Sequence, residues 1–302
     1  MALLNIFANN LLPILLLGGA GFALGRFLSV EARPLGRVVF FILSPMLVFN
    51  QLTQNQLSFG SITKMMAYAA AVMLVDAGLA YLVGRLLHLE HTVLSAVVLT
   101  TLIANNGNYG LPLIGFAFGQ EALAYASVYY VTSTLMIYTV GVLIASLGRL
   151  RLKDALRGLL GVPAIYAILA AMLFIRTGWR LPDPLQRTVS LAAGATIPVM
   201  LIVLGLEMTH VEWGHNLRAV SIPVVFRLIV GPLVGLGMAA LLGVDGVARQ
   251  DGITDAGMPS AVMTTVLAAE YKLQPSLVTA IVFVSTILSP LTLTPLLYFL
   301  GK

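Results

Sequence analysis

The sequence contains no cysteine and few charged residues. Without cysteine the chain has no disulfide framework, no thiolate chemistry and no cysteine-ligated metal site. Only 10% of its 302 residues are charged and 59% are hydrophobic, whereas soluble domains carry about 25% charged residues. This composition predicts an integral membrane protein that lies in the lipid bilayer and has no sizeable soluble domain.

Several catalytic motifs are also missing. The chain has no Gly-x-x-x-x-Gly-Lys-Ser/Thr stretch, so we do not expect it to drive transport with ATP by itself. It also lacks the Gly-x-Ser-x-Gly elbow of a serine hydrolase. Its four histidines fall in predicted loops, without the spacing of a metal site. We therefore predict that the protein is not an enzyme and binds no cofactor and no metal. The net charge of +5 suggests no nucleic-acid partner.

Ten apolar segments recur along the chain, most of them long enough to cross a bilayer. Only helices or closed barrels satisfy the backbone in lipid, and the continuous apolar character favours helices. The predicted fold is therefore an all-α integral membrane protein with ten transmembrane helices. The segments are Asn5–Phe27, Leu35–Leu52, Ile62–Leu87, Thr92–Phe118, Glu121–Leu147, Leu159–Ile175, Leu185–Met208, Ala219–Leu242, Val247–Glu270 and Pro275–Leu300.

Short motifs repeat between the two halves of the chain in the same order. They are Pro45 and Pro198, 153 apart; Gly110–Pro112 and Gly257–Pro259, 147 apart; and Ser133–Leu135 and Ser285–Ile287, 152 apart. The spacing predicts two repeats of five helices, residues 1–151 and 152–302. Because five is odd, the second repeat is inverted, which is the plan of many secondary transporters.

Basic residues predict the orientation in the membrane. Ten lysines and arginines fall in loops after odd-numbered segments, and six fall on the opposite side. The bias places the basic loop 148–158 in the cytoplasm and both termini outside. The predicted location is the cytoplasmic (inner) membrane.

The fourth segment contains the polar stretch "ANNGNYGLP", which includes Asn105, Asn106, Asn108, Gly110 and Pro112. A break in a helix at membrane depth is tolerated inside protein or beside water. The N-terminal end of a half-helix favours an anion, and asparagine amides can donate to a carboxylate without adding charge. The alternative is a proline kink whose asparagines bridge neighbouring helices.

The ninth segment offers a second break, with Asp255, Pro259, Ser260 and Thr264 around it. If both breaks meet at the bilayer midplane, they form one site from two pairs of half-helices. Asp255 then lies near that site or, alternatively, at a wet end of a helix.

Two ionisable residues, Asp76 and Arg227, lie deep in apolar segments. An intramembrane ionisable residue indicates function by default, so Asp76 is a candidate for proton coupling, or else a carboxylate fixed by one partner. Arg227 could pair with Asp76, attract an anionic substrate or snorkel to an interface. Tyr129 could line a pocket or simply pack, and Glu207 is expected near an interface.

The chain resembles the auxin efflux carrier family over essentially its whole length. The resemblance lies in "FFILSPMLVF", "NNGNYGLPLIGFAFG", "MPSAVMTTVLAAEY" and the final "VSTILSPLTLTPLL". Its most specific element is an asparagine followed seven residues later by a proline, here Asn105 and Pro112. The family includes plant auxin exporters and bacterial transporters of malonate and similar acids.

The resemblance implies an elevator mechanism. Helices 1, 2, 6 and 7, about 5–52 and 159–208, would form a scaffold that dimerises. Helices 3–5 and 8–10, about 62–147 and 219–300, would form a mobile transport domain in which broken helices 4 and 9 cross. By the same resemblance Asn105 contacts the substrate carboxylate and Asp76 occupies a supporting position.

The sequence departs from the family pattern around both breaks. Plant members place the second crossing proline nearer Thr264, which leaves the position of the second break open. Asn106 and Asn108 stand where relatives often have smaller or apolar residues, which allows a more polar pocket and leaves the substrate open. The predicted function is a secondary transporter of a small organic anion, an auxin-like monocarboxylate or a malonate-like dicarboxylate. The alternatives are a sodium-coupled symporter of the bile-acid type and a membrane sensor that binds a ligand without moving it.

Overall fold

The computed structural model describes residues 2–146, 159–210 and 217–301. Within these ranges the chain is helical, apart from short turns and one isolated β-bridge. The predicted cytoplasmic loop 148–158 lies outside the described residues. The helices are α1 Ala2–Leu28, α2 Ala32–Asn55, α3 Phe59–Leu86, α4 His91–Leu102, α5 Asn106–Ala145, α6 Pro163–Thr177, α7 Asp183–Glu207, α8 Arg218–Leu242, α9 Gly246–Ala256, α10 Met263–Glu270 and α11 Pro275–Leu300.

Seven of these helices are long and apolar enough to cross a membrane, namely α1, α2, α3, α5, α7, α8 and α11. Large apolar side chains such as Leu16, Leu191 and Leu291 remain exposed on their outer faces, as expected where the surrounding solvent is lipid rather than water. The predicted class, an integral membrane protein built from helices, is confirmed.

The fourth and ninth predicted segments are each interrupted. The fourth comprises α4, a break and the first part of α5, and the ninth comprises α9, a break and α10. Helix α5 extends over 40 residues, longer than one span, and its direction changes at Gly119. This residue has φ 82° and ψ −165°, a conformation that glycine adopts without a steric penalty.

Helices α1, α2, α6 and α7 pack together as one group. A Cβ on Gly205 of α7 would overlap the carbonyl oxygen of Gly18 in α1, so the two helices approach as closely as their backbones allow. Thr196 of α7 donates to the Leu43 carbonyl of α2 at 3.1 Å. Main-chain contact and side-chain hydrogen bonds both hold this group.

Helices α3, α8 and α9 pack against one another and, through α3 and α9, against α5. Glycines make this packing close, because a Cβ on Gly252 of α9 would overlap the ring of Tyr68 from α3. The Tyr68 hydroxyl donates to the Gly235 carbonyl of α8 at 2.9 Å. The three helices thereby enclose the polar side chains that lie beside the two breaks.

Candidate functional site

The two breaks meet in an antiparallel crossing. The chain leaves helical geometry at residues 103–105, between α4 and α5, and again at residues 257–262, between α9 and α10. The main-chain N–H of Asn105 donates to the Pro259 carbonyl at 2.8 Å, and the main-chain N–H of Ala261 donates to the Ile103 carbonyl at 3.0 Å. The crossing therefore pairs main-chain groups that lipid would leave unsatisfied.

The two motifs that were matched in the sequence lie at different places relative to the crossing. The bridge pairs Ala104 with Ser260, residues 156 apart, whereas the motif match set Gly110–Pro112 against Gly257–Pro259. Gly257–Pro259 belongs to the second break itself, while Gly110–Pro112 follows the first break and lies in α5.

Pro112 lies in the helix rather than in the gap. Residues Asn106–Gly110 form a π-helical turn, and Pro112 follows as the second residue of the regular helix. The turn is continuous with the regular helix, because the Leu111 N–H donates to the Asn106 carbonyl, so Pro112 lies inside α5 and supplies no N–H to the hydrogen bonds of that helix. The first break therefore lies at residues 103–105, before Pro112.

Asn105 and Asn106 are both buried but use their amides differently. Asn105 is 5% exposed, and its Nδ2 has no hydrogen-bond partner among the described residues. The main-chain carbonyl oxygen of Asn105 accepts from the Gly110 N–H at 2.9 Å. Asn106 Nδ2 instead donates to Asp255 Oδ1 at 2.9 Å and to the Asp255 carbonyl at 3.1 Å. Asn105 is thus the asparagine whose donor is free.

Asn108 reaches away from the crossing. It is partly buried, and its Nδ2 donates to Glu207 Oε2 at the end of α7, at 3.4 Å. Sequence reasoning expected Glu207 only near an interface and missed this contact, since nothing in the local pattern relates the two residues.

Arg227 joins the ends of the two helices that precede the breaks. Its guanidinium donates to the carbonyls of Met258 at 3.0 Å, Thr101 at 3.2 Å and Asp255 at 3.3 Å. Its Nη1 also lies 3.6 Å from Asp76 Oδ2, and both side chains are buried. Free carbonyls and the negative end of the helix dipole favour a cation at such C-terminal ends. Of the three roles predicted for Arg227, the structure shows the pairing with Asp76. Because the Arg227 side chain is buried, it does not snorkel to an interface.

The side chains of the second break bind main-chain oxygens. Ser260 Oγ donates to the Thr100 carbonyl at 2.8 Å, and the Ser260 N–H donates to Ser285 Oγ at 3.1 Å. Thr264 Oγ1 donates to the Ala261 carbonyl at 2.6 Å. These hydroxyls use their donors to close the crossing.

Two further predicted residues have clear places. Tyr129 is buried and packs against Tyr68, with the ring centroids 6.4 Å apart and the planes at 69°. Asp255 is fully buried against Asn106, so it lies at the crossing and not at a wet helix end.

Asp251 is a buried residue that sequence reasoning did not select. It is fully buried, and neither carboxyl oxygen has a hydrogen-bond partner in the described part of the chain. The signal available in the sequence was its position four residues before Asp255, which places both on one face of a helix.

No metal site accompanies these groups, since the described residues place no three His, Cys, Asp or Glu side chains to hold an ion. A cavity of about 440 Å³ lies elsewhere, between α2, α6 and α7. Its lining includes Phe49, Trp179 and Arg180 and no residue of the crossing.

Helices that span the membrane, with two of the chain's segments broken and crossed at a buried polar site, define the class of multi-pass membrane proteins to which many secondary transporters belong. A family model described as a membrane transport protein matches residues 6–297. The chain belongs to this family, which is the auxin efflux carrier family. It is a membrane transporter and not an enzyme, as the sequence predicted.

Individual relatives agree with the family. An uncharacterized transporter of Methanothermobacter thermautotrophicus is 28% identical over 94% of both chains. An uncharacterized transporter of Methanocaldococcus jannaschii is 26% identical over 93% of this chain and 94% of its own length. The probable auxin efflux carrier component 1b of rice, Oryza sativa subsp. japonica, is 29% identical over 43% of this chain and 24% of its own length.

Proposed function

We propose that the protein is a secondary transporter of a small organic anion, a carboxylate, which it moves by an elevator-type mechanism. The observation that carries this proposal is the free Nδ2 of Asn105, a buried donor at the point where two broken helices cross. Leaving such a donor unpaired costs about 1–3 kcal/mol, and a carboxylate oxygen would satisfy it. Asn105 also precedes α5 directly, so the positive end of that helix favours the same anion.

The amide is suited to a substrate that must leave again. A neutral donor binds a carboxylate less tightly than a buried cation would, and Arg227, the buried cation beside the crossing, is occupied by Asp76 and three carbonyls. The relatives named as auxin efflux carriers favour an auxin-like monocarboxylate. The polar neighbours Asn106 and Asn108 keep a malonate-like dicarboxylate as the second candidate.

The same proposal divides the helices into two domains. Helices α1, α2, α6 and α7 form the scaffold, which dimerises, and the remaining helices form the moving domain. The whole chain then consists of two inverted five-helix repeats, residues 1–151 and 152–302, and each repeat contributes helices to both domains. Side-chain hydrogen bonds between the two groups include Gln51 to Gln120 at 2.9 Å and Asn108 to Glu207 at 3.4 Å. Contacts between uncharged or singly charged side chains such as these can break and re-form during a sliding motion. The proposed membrane is the cytoplasmic membrane, with both termini outside.

Transport by purified protein in liposomes tests the function. Radiolabelled indole acetic acid, malonate and other mono- and dicarboxylates are offered, and at least one should enter faster than in empty liposomes. If every acid binds without entering, the protein is a ligand sensor. A rate that is unchanged in sodium-free buffer counts against a sodium-coupled symporter of the bile-acid type.

Substitution of Asn105 tests the site. Asn105→Ala should weaken acid binding by about 1–3 kcal/mol, because a buried carboxylate loses a hydrogen bond. Isothermal titration of the folded variant measures this change. The matched control is Asn9→Ala, at an exposed asparagine of α1, which should leave affinity unchanged. Equal affinities for Asn105→Ala and the native protein would remove Asn105 from the site.

A further inference from the structure

Two carboxyl groups on α9, those of Asp251 and Asp255, are buried beside the crossing without a cation of their own. Both side chains are fully buried. Asp255 Oδ1 accepts from Asn106, whereas Asp255 Oδ2 and both oxygens of Asp251 have no hydrogen-bond partner within the described ranges. Residues four apart on a helix face the same side, so the two carboxyl groups are neighbours.

The ionisable side chains around this pair do not neutralise it. Helix α3 contributes Asp76 and Tyr68, α5 contributes Tyr129, α8 contributes Arg227, and Arg249 lies on α9 itself. The Tyr68 hydroxyl already donates to a main-chain carbonyl. Arg227 is 3.6 Å from Asp76, and its other N–H groups donate to main-chain oxygens. Arg249 is half-exposed and makes no ion pair among the described residues.

Three buried carboxyl groups therefore share one buried guanidinium. An ionised carboxylate without a counter-charge in a protein interior is so unfavourable that the group takes up a proton instead. Asp76 lies 3.6 Å from this cation, so the pair formed by Asp251 and Asp255 holds at least one proton. This assignment moves the predicted coupling role from Asp76, which the structure places in an ion pair, to α9.

Asn106 supplies a second observation that points to a proton at the same place. Its side chain is 1% exposed and contacts Asp255 through Nδ2, while its own Oδ1 has no partner in the described chain. A protonated carboxyl group is a donor as well as an acceptor and requires an acceptor nearby. The amide oxygen of Asn106, buried and without a partner on the side chain that contacts Asp255, meets this requirement. If the carboxyl group were ionised instead, this amide oxygen and the carboxylate would repel each other.

The pair also lies next to the proposed substrate donor. Asn106 contacts Asp255, and Asn105 is its neighbour in the chain. In a medium of low dielectric constant an anion near Asn105 and an ionised Asp255 repel each other strongly. The anion therefore binds better when the pair holds a proton and, by linkage, the proton binds better when the anion is present.

We propose that Asp251 and Asp255 form the proton-coupling pair of the transporter. The empty protein holds one proton on the pair. When the anion binds at Asn105, the remaining carboxylate oxygen gains a second proton from the aqueous side to which the crossing is open, and an O–H bond forms. The anion and this second proton cross, the O–H bond breaks to release the proton on the other side, and the empty protein returns with one proton on the pair. One proton moves with one anion, so a monocarboxylate crosses without net charge. This inference rests on the proposed function.

Infrared spectroscopy of the full-length protein tests the protonated state without any substrate. At neutral pH the native protein should show the C=O stretch of a buried carboxylic acid, a band that carboxylates lack. Asp251→Asn should remove intensity from this band, and Asp245→Asn, at an exposed aspartate at the start of α9, should not. The absence of the band in the native protein overturns the proposal, even if transport occurs.

A coupling measurement in liposomes separates the two proposals. Radiolabelled malonate and indole acetic acid are offered with the membrane potential clamped, with and without a gradient of one pH unit, and empty liposomes correct for passive entry. One proton per anion predicts about tenfold accumulation for that gradient, lost in Asp251→Asn and kept in Asp245→Asn. Uptake that ignores the gradient overturns the coupling and leaves the transporter standing. If neither acid enters faster than in empty liposomes, the proposed function fails and the coupling with it.

Discussion

The break before α5 and the break before α10 meet at one crossing but carry different chemistry. The first presents Asn105, with a free Nδ2, and Asn106, whose amide binds Asp255. The second presents Ser260 and Thr264, whose hydroxyls donate to carbonyls. Both breaks solve the same problem, since each must pair the backbone groups that its gap releases. The difference is that only the asparagine side retains a donor for a ligand among the described residues.

Arg227 is common to both sides, and its loss should therefore have the largest effect. Arg227→Met would leave Asp76 buried and unpaired and would remove the donors of three carbonyls. Removing one partner of a buried ion pair costs about 3–5 kcal/mol, so we expect low yield and a strongly lowered midpoint of thermal unfolding in detergent.

Two further variants show whether this loss of stability comes from the contacts of Arg227 with Asp76 and the three carbonyls. Arg218→Met, at an exposed arginine, should change stability by less than about 0.5 kcal/mol. Combining Arg227→Met with Asp76→Asn should recover part of the stability, because no unpaired charge then remains. If Arg227→Met has the same midpoint of thermal unfolding as the native protein, the two breaks hold together without the contacts of Arg227.

Exchanging serine for alanine at the second break, or at its hydrogen-bond partner on α11, should affect stability and leave binding unchanged. Ser260→Ala removes the bond to the Thr100 carbonyl, and Ser285→Ala removes the acceptor of the Ser260 N–H. We expect each to lower the free energy of unfolding by about 1 kcal/mol with an unchanged Kd for the acid.

Asn105→Ala should give the reverse result, a raised Kd with no loss of stability, because its Nδ2 makes no bond to lose. Thermal unfolding and titration of the three variants side by side provide the comparison. If Ser260→Ala raises Kd as much as Asn105→Ala, the two breaks share the ligand and the proposed division of roles is wrong.

The sequence predicts the outline of this site well, because its strongest signals are local. Asparagines, glycines and a proline inside an apolar run indicate a break, and both breaks occur in the predicted segments. The burial of Asp76 and Arg227 likewise follows from the apolar residues on each side of them.

Other features depend on which distant atoms meet. The register of Ala104 against Ser260 is fixed by two main-chain hydrogen bonds, and no side-chain pattern records it. Asp251 is surrounded by acidic and polar neighbours in the sequence, which suggested water. It is buried because glycines such as Gly252 let α3 and α9 approach closely, and that contact appears only once the helices are packed. For the same reason the sequence could not single out the asparagine whose amide is free by geometry, although the family resemblance pointed to Asn105.

The contact between Asn108 and Glu207 should have the smallest effect of all. The bond is long, at 3.4 Å, and only partly buried, so a double-mutant cycle of Asn108→Ala and Glu207→Gln should give a coupling of about 0.5 kcal/mol in unfolding. In the proposed elevator this bond joins the moving domain to the scaffold, so Asn108→Ala should change the rate of uptake while Kd stays the same. Gln51→Ala, which removes the bond to Gln120 between the same two groups of helices, is the matched control and should also change only the rate. An Asn108→Ala protein that loses acid affinity as Asn105→Ala does would extend the ligand site along the first break, and the free amide of Asn105 would then be one of two donors.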